Sequence, residues 1–136
     1  MLGAKLGEER GKITGNRVLP GGDYRYVKME VSLQAAGKVL GVDTTDIGTY
    51  TVFERVPGQL YGEGQGILMT SDGEGAIWNG HGVGKMTGKG MAMSFRFSVA
   101  YQTNSKKLAR LNQVLVIGEH DVDENGNTHT TFWEWK

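Results

Sequence analysis

The chain has 136 residues, in which 15 lysines and arginines balance 15 aspartates and glutamates, and it contains no cysteine. That length suits one domain with its own core, and a net charge of zero removes the summed field that draws basic proteins to nucleic acid or anionic membranes. The missing thiols exclude disulfides, thiolate zinc sites and cysteine nucleophiles together.

Met1 to Arg10 carries Glu8, Glu9 and Arg10 where a signal peptide would need an apolar stretch of roughly 7–15 residues. No apolar run approaches the ~18 residues of a membrane-spanning helix. A cytoplasmic protein with neither nucleic-acid nor membrane partners is expected. Twenty-two glycines against two prolines is the anomaly. The glycines alternate with Val, Ile, Tyr, Phe and Trp at zero net charge, which argues for strands over disorder.

In chain order, the predicted strands begin with Gly11 to Leu19 and Tyr24 to Ala36. In the second, Val27, Met29, Val31, Leu33 and Ala35 alternate with polar residues, the period of a half-buried strand. Asp46 to Val56 and Leu60 to Thr70 follow, joined by Pro57-Gly58, and Asp72-Gly73 leads to Ala76 to Gly84. Met91 to Thr103 puts Met91, Met93, Phe95, Phe97, Val99 and Tyr101 on one face and Ala92, Ser94, Arg96, Ser98 and Ala100 on the other. Ser105 to Arg110 hints at a helical turn. Leu111 to Asp123 and Thr128 to Lys136 flank Asn125-Gly126, a strong hairpin pair. These segments predict an all-β domain over residues 1–136: an antiparallel, mostly up-and-down β-barrel of about eight strands, closed to protect its edges.

With two-residue loops the registers can be written out. Asp72-Gly73 places Tyr61 opposite Gly84, Glu63 opposite Gly82 and His81 opposite Gly64, so side chains repeatedly cross bare backbone and the sheet can coil tightly. Gly62-x-Gly64-x-Gly66 and Gly80-x-Gly82-x-Gly84-Lys85 have neither the spacing of a phosphate loop nor a following helix.

Three polar groupings are candidates for chemistry. Asn125-Gly126 as a two-residue loop sets Gly118 opposite Trp133, His120 opposite Thr131 and Val122 opposite His129. His120 and His129 then become diagonal neighbours, roughly 7–8 Å apart, on a face shared with Trp133 and Trp135. They could serve as a proton relay or cap the barrel mouth; a metal would need a third ligand, and no metal or cofactor is expected. Tyr50, Glu63 and Gln65 share a face if the Pro57-Gly58 loop has two residues. Glu63 inside an apolar barrel would have a raised pKa suited to acid–base work, with Trp78 on the same side; on the outside it would be ordinary surface. Arg96 either grips a ligand carboxylate from the lumen or sits on the outer wall. The candidate catalytic residues are thus His120, Glu63 and Tyr50, and the candidate ligand contacts Trp78, Arg96, His129, Thr131, Trp133 and Trp135.

The run from Gly58 to Asp72 (Gly-Gln-Leu-Tyr-Gly-Glu-Gly-Gln-Gly-Ile-Leu-Met-Thr-Ser-Asp), followed by Ala76-Ile-Trp-Asn-Gly80 and Gly82-Val-Gly-Lys-Met-Thr-Gly-Lys-Gly90, resembles the central strands of the allene oxide cyclase barrels. The tail from Leu108 to Trp135 is similar to small bacterial proteins grouped with that superfamily. The shared features are mostly glycines and turns and carry no catalytic residue across. What the resemblance implies is an apolar lumen, cofactor-free chemistry and a homo-oligomer, dimer or trimer.

Two functions follow as expectations. One is a barrel that binds a small apolar ligand in its lumen, with an isomerase or cyclase as its catalytic form. The other is a filled, non-catalytic barrel serving as an oligomeric or interaction module. The face of Met91 to Tyr101 that points inward discriminates them.

Overall fold

The computed structural model describes residues 1–21 and 28–136. Its strands are β1 (Leu2–Leu19), β2 (Lys28–Val39), β3 (Val42–Val56), β4 (Gln59–Thr70), β5 (Gly75–Met86), β6 (Met93–Thr103), β7 (Leu115–Val122) and β8 (Asn127–Trp135). Each strand pairs antiparallel with the next, and β1 closes on β8 to complete an eight-stranded up-and-down barrel. The expected start of the second strand, Tyr24 to Val27, lies outside the described residues. Among the described residues no helix is long and apolar enough to cross a membrane.

Three strands run past the ends that the sequence suggests. β1 starts at Leu2 rather than Gly11, so the charged stretch around Glu9 belongs to the wall: Glu8 and Arg10 alternate outward while Glu9 points in and is 3% exposed. β2 and β3 run on to a tight turn at Leu40-Gly41, whose positive φ angles of 53° and 76° match a two-residue type I′ hairpin closed by Val39 and Val42.

The large face of β6 points inward, with Met93, Phe95, Val99 and Tyr101 buried, and the small face carries Arg96 outward. Two apolar clusters divide the interior. One is built on Val31, Val52, Leu60, Met93, Phe95 and Val122. The other holds Leu6, Leu68, Val116 and Phe132 together with Leu108 and Leu111, which are supplied by the segment around a 3₁₀ turn at Ala109–Gln113. Leu108 and Leu111 are fully enclosed, and Arg110 pairs with Glu134 beside them, so this segment packs into the barrel as a plug. The helical turn expected at Ser105 to Arg110 is the start of that plug.

Candidate ligand-binding lumen

Register decides which residues reach the lumen, and three local features set it. Thr70 N–H bonds to Glu74 O across the β4–β5 turn, and Asp123 N–H to Asn127 O across the β7–β8 turn. Each turn therefore holds three residues, Ser71-Asp72-Gly73 and Glu124-Asn125-Gly126, with the glycine at positive φ (87° and 80°), the type I turn plus bulge geometry. The Pro57-Gly58 loop does have two residues, but the pairing shifts between Glu54 and Val56, leaving Arg55 as a bulge. Every such one-residue step turns a strand over.

The lumen accordingly receives Tyr50 rather than Glu63, since Tyr50 pairs with Gly64 and Glu63 with Thr51 and His81. Glu63 stands exposed on the outer face and accepts a hydrogen bond from Tyr61 Oη at 3.2 Å. On β8, Thr128, Thr130, Phe132 and Glu134 are buried, while His129, Thr131, Trp133 and Trp135 face outward, against the expectation that they share a face with His120. His129 bonds to Glu8 at 2.5 Å on the outside, and Trp135 is 51% exposed. Arg96 is an outer-wall residue, ion-paired with Glu119 at 3.0 Å. Of the nine expected site residues, His120, Tyr50 and Trp78 border the lumen as side chains pointing in.

Glycine now faces glycine across the β4–β5 pair, Gly62 opposite Gly82 and Gly64 opposite Gly80. This bare patch has no inward side chains. Beside it Phe97 folds down over Gly118, where an added Cβ would lie 2.4 Å from its ring. The large β6 face therefore does not fill the barrel. A cavity of about 100 Å³ remains between the two apolar clusters, walled by Trp78, Tyr50, Phe95, Phe97 and Tyr101 and by four polar groups, Glu9, Asp46, His120 and Thr130.

Two of these polar groups escaped the sequence reading. Glu9 on β1 and Asp46 on β3 are 3% and 4% exposed and share a hydrogen bond inside the barrel. Burial, then the neighbouring Asp46 charge, push the Glu9 carboxyl up to about 9, so it keeps its proton at neutral pH. Burial also raises Asp46, opposed by the hydrogen bonds it receives from Trp78 and Glu9. Glu9 Oε1 receives no hydrogen bond from any described N–H or O–H. Two carboxyls in contact cannot both ionise without strong mutual repulsion, so the pair keeps a proton at neutral pH. Trp78 Nε1 donates to Asp46 Oδ1 at 2.9 Å, and the phenol of Tyr101, raised chiefly by burial, lies within the field of both acids.

Thr130 links this pair to the opposite wall. It stands in register with Glu9 on one side and with His120 on the other, and its hydroxyl meets His120 Nδ1 at 2.8 Å. His120 Nε2 lies 3.4 Å from Tyr50 Oη. Burial lowers the imidazole to about 4, partly offset by Asp121, so His120 is neutral at pH 7; burial likewise raises the Tyr50 phenol. Chemically the lumen offers a protonated carboxyl beside a second buried carboxyl, a neutral imidazole and aromatic walls. Among the described residues no three His, Cys, Asp or Glu side chains gather as a metal site.

Fold and site together define a closed eight-stranded antiparallel barrel with a small aromatic lumen and an acid pair in its wall. No protein-family model matches the chain, and no curated protein matches it. Solved structures do. A protein of unknown function from Clostridium acetobutylicum ATCC 824 superposes with a TM-score of 0.80 at 11% identity, over 96% of this chain and 96% of its own. A conserved protein of unknown function from Rhodopseudomonas palustris gives 0.79 at 14% identity, over 98% and 97%. A β-barrel-like protein from Acinetobacter baumannii AYE gives 0.80 at 12% identity, over 100% and 96%. At these identities the likeness is one of fold alone. The resemblance to allene oxide cyclases carries as far as the barrel, with no cyclase family shown.

Proposed function

We propose that the barrel binds a small molecule in its lumen, an apolar body with one polar head directed at Glu9 and Asp46. The observation that carries this reading is the cavity itself: apolar and aromatic on most of its wall, with two almost fully buried acids on the rest. Buried ionisable groups are costly to a fold that gains nothing from them, and a concave apolar site with a few convergent polar groups is the general form of a ligand pocket. At about 100 Å³ the space is somewhat smaller than engineered cavities of about 150 Å³ that take up benzene. The ligand is therefore of about that size, well below a fatty acid.

A catalytic form of the same reading is cofactor-free proton transfer. Its support is that the pair sets a protonated carboxyl beside a second acid, which once ionised would complete the arrangement needed to donate a proton at one atom and remove it at another. The filled-barrel alternative draws on the inward face of β6.

Native mass spectrometry of the protein purified from cells, with isobutanol titrated into the purified chain and followed on the Trp78 indole N–H resonance, separates these readings. A retained small molecule or a saturable shift supports lumenal binding. An empty protein whose Trp78 resonance isobutanol leaves unmoved would favour the filled barrel.

A further inference from the structure

The lumen is electrostatically one-sided. The ionisable side chains buried at its wall are Glu9 from β1, Asp46 and Tyr50 from β3, Tyr101 from β6 and His120 from β7; Glu63 and His81 also border it but are exposed on the outer face, and among the described residues no lysine or arginine borders it. The paired basic groups lie elsewhere: Arg96 with Glu119 on the outer face, Arg110 with Glu134 at the plug, Lys38 with Asp43 in solvent. Among the described residues the Trp78 indole is the only N–H donor to either acid, and one neutral donor would not balance a negative charge on either of them. Leaving such a charge unpaired costs several kcal/mol in general.

The rest of the wall is aromatic. Trp78, Tyr101, Tyr50, Phe95 and Phe97 all border the cavity, and aromatic faces attract cations through their ring quadrupoles. An anionic head would meet the acid pair with like charge. A hydroxyl head would add one hydrogen bond and leave the charge uncompensated. An ammonium head brings the missing charge together with three donors, enough to reach both carboxyls and leave a hydrogen over a ring face. Glu9 Oε1, almost fully buried and receiving no hydrogen bond from any described donor, stands ready to accept one of them once its proton is displaced.

On the basis of the lumenal reading above, we infer that the ligand is a small organic ammonium ion, a primary amine on a short apolar body, held between the Glu9–Asp46 pair and the aromatic wall.

Three probes that carry different heads on one isobutyl body test this on the full chain at constant ionic strength: isobutylammonium, isobutanol and isovalerate, each followed on the Trp78 indole N–H and by calorimetry. Isobutylammonium is expected to bind about tenfold or more tighter than isobutanol, the equivalent of one cation–aromatic contact or charge-assisted bond, and isovalerate not to bind. The double variant Glu9→Gln/Asp46→Asn, which keeps side-chain shape, should erase the preference, bringing the amine's affinity down to that of isobutanol measured on the same variant; its folding is checked by its amide spectrum. Isobutanol binding as well as or better than the amine would overturn the ammonium assignment and leave the lumenal reading standing. If no probe moves Trp78, both fall. The wild-type comparison decides even if a variant fails to fold.

Discussion

The Trp78 indole reaches Asp46 Oδ1 at 2.9 Å by lying across two neighbouring strands whose residues at the crossing are Gly66 and Gly48. A Cβ at Gly66 would come within 2.4 Å of the indole ring, and one at Gly48 within 2.6 Å. Alanine at position 66 therefore drives the ring off the sheet and strips Asp46 of its N–H donor. Gly66→Ala is expected to cost about 2–4 kcal/mol, combining a displaced aromatic with a buried acid left short of a partner. Urea denaturation measures the loss. Trp78 emission, isolated by replacing Trp133 and Trp135 with phenylalanine, should shift to the red; unchanged emission and stability would mean that the sheet relaxes around the methyl and that the close approach is not required.

The acid pair and His120 give the fold opposite pH dependences. Glu9 titrates near 9 in the fold against an ordinary 4.5, so between those values the folded chain holds a proton that the unfolded chain has released, and stability falls as pH rises through that window. Asp46, also raised, acts in the same direction. His120 titrates near 4 against 6.5, so between those values the unfolded chain binds a proton that the fold excludes, and stability is lost as pH falls from 6.5 to 4. The two effects oppose each other from about 4.5 to 6.5, and a broad plateau there with a decline toward pH 9 is expected. Glu9→Gln, whose amide can still donate to Asp46, should flatten most of the alkaline decline, on the order of 2 kcal/mol by pH 9, and should replace the plateau by a fall in stability from pH 6.5 downward, because nothing then opposes His120. Thermal melts from pH 4 to 9 on both proteins check this; identical alkaline limbs would place the Glu9 proton elsewhere.

Alternation on Met91 to Tyr101, the Pro57-Gly58, Asp72-Gly73 and Asn125-Gly126 pairs and the even strand count were enough to read the barrel from the sequence, because side-chain period and turn chemistry are local properties. Facing is not local. Asp-Gly and Asn-Gly suit a two-residue turn and equally the last two places of a three-residue one, and only the long-range pairing of Thr70 with Glu74 and Asp123 with Asn127 decides between them. That single residue sent Trp133 and Trp135 outward and made Phe132 and Thr130 lumenal. The Arg55 bulge separated Glu63 from Tyr50 in the same way. Glu9 was hidden for a different reason: in the string Gly-Glu-Glu-Arg-Gly-Lys it looks like solvated terminus. The available signal was the alternation of Glu8, Arg10 and Lys12 around it, which puts three charges on one face and leaves Glu9 between glycines on the other.

The two three-residue turns make a prediction of their own. Gly73 and Gly126 sit at φ of 87° and 80° with open space where a Cβ would point, or at 3.7 Å from Ile13 in the case of Gly126. Steric crowding is therefore small and backbone conformation sets the cost. Gly73→Ala and Gly126→Ala should each destabilise by about 1 kcal/mol, the penalty of left-handed backbone for an L residue, whereas asparagine, which tolerates that region, should cost less at both. Urea midpoints order the variants; alanine at or above wild-type stability would mean that the turn re-forms as a two-residue loop, and the amide spectrum of β5 for Gly73→Ala, or of β8 for Gly126→Ala, would then change as the strand turned over.

Tyr50 and His120 meet at 3.4 Å, too long for a strong hydrogen bond, while their rings pack edge to face at 5.7 Å between centroids. Packing, not the phenol hydroxyl, is then what holds the pair. Tyr50→Phe keeps the ring and should cost no more than about 1 kcal/mol, with the His120 imidazole still titrating near 4, since burial is the main cause of its depression. Tyr50→Ala removes the ring as well, opens His120 toward the enlarged cavity and should raise its pKa toward the ordinary 6.5 at a stability cost of about 3–5 kcal/mol. Imidazole chemical shifts followed from pH 3 to 8 distinguish the two. A His120 titration that rises in Tyr50→Phe would show that the hydroxyl had been stabilising the neutral ring, and would make Tyr50, His120 and Thr130 one hydrogen-bonded unit.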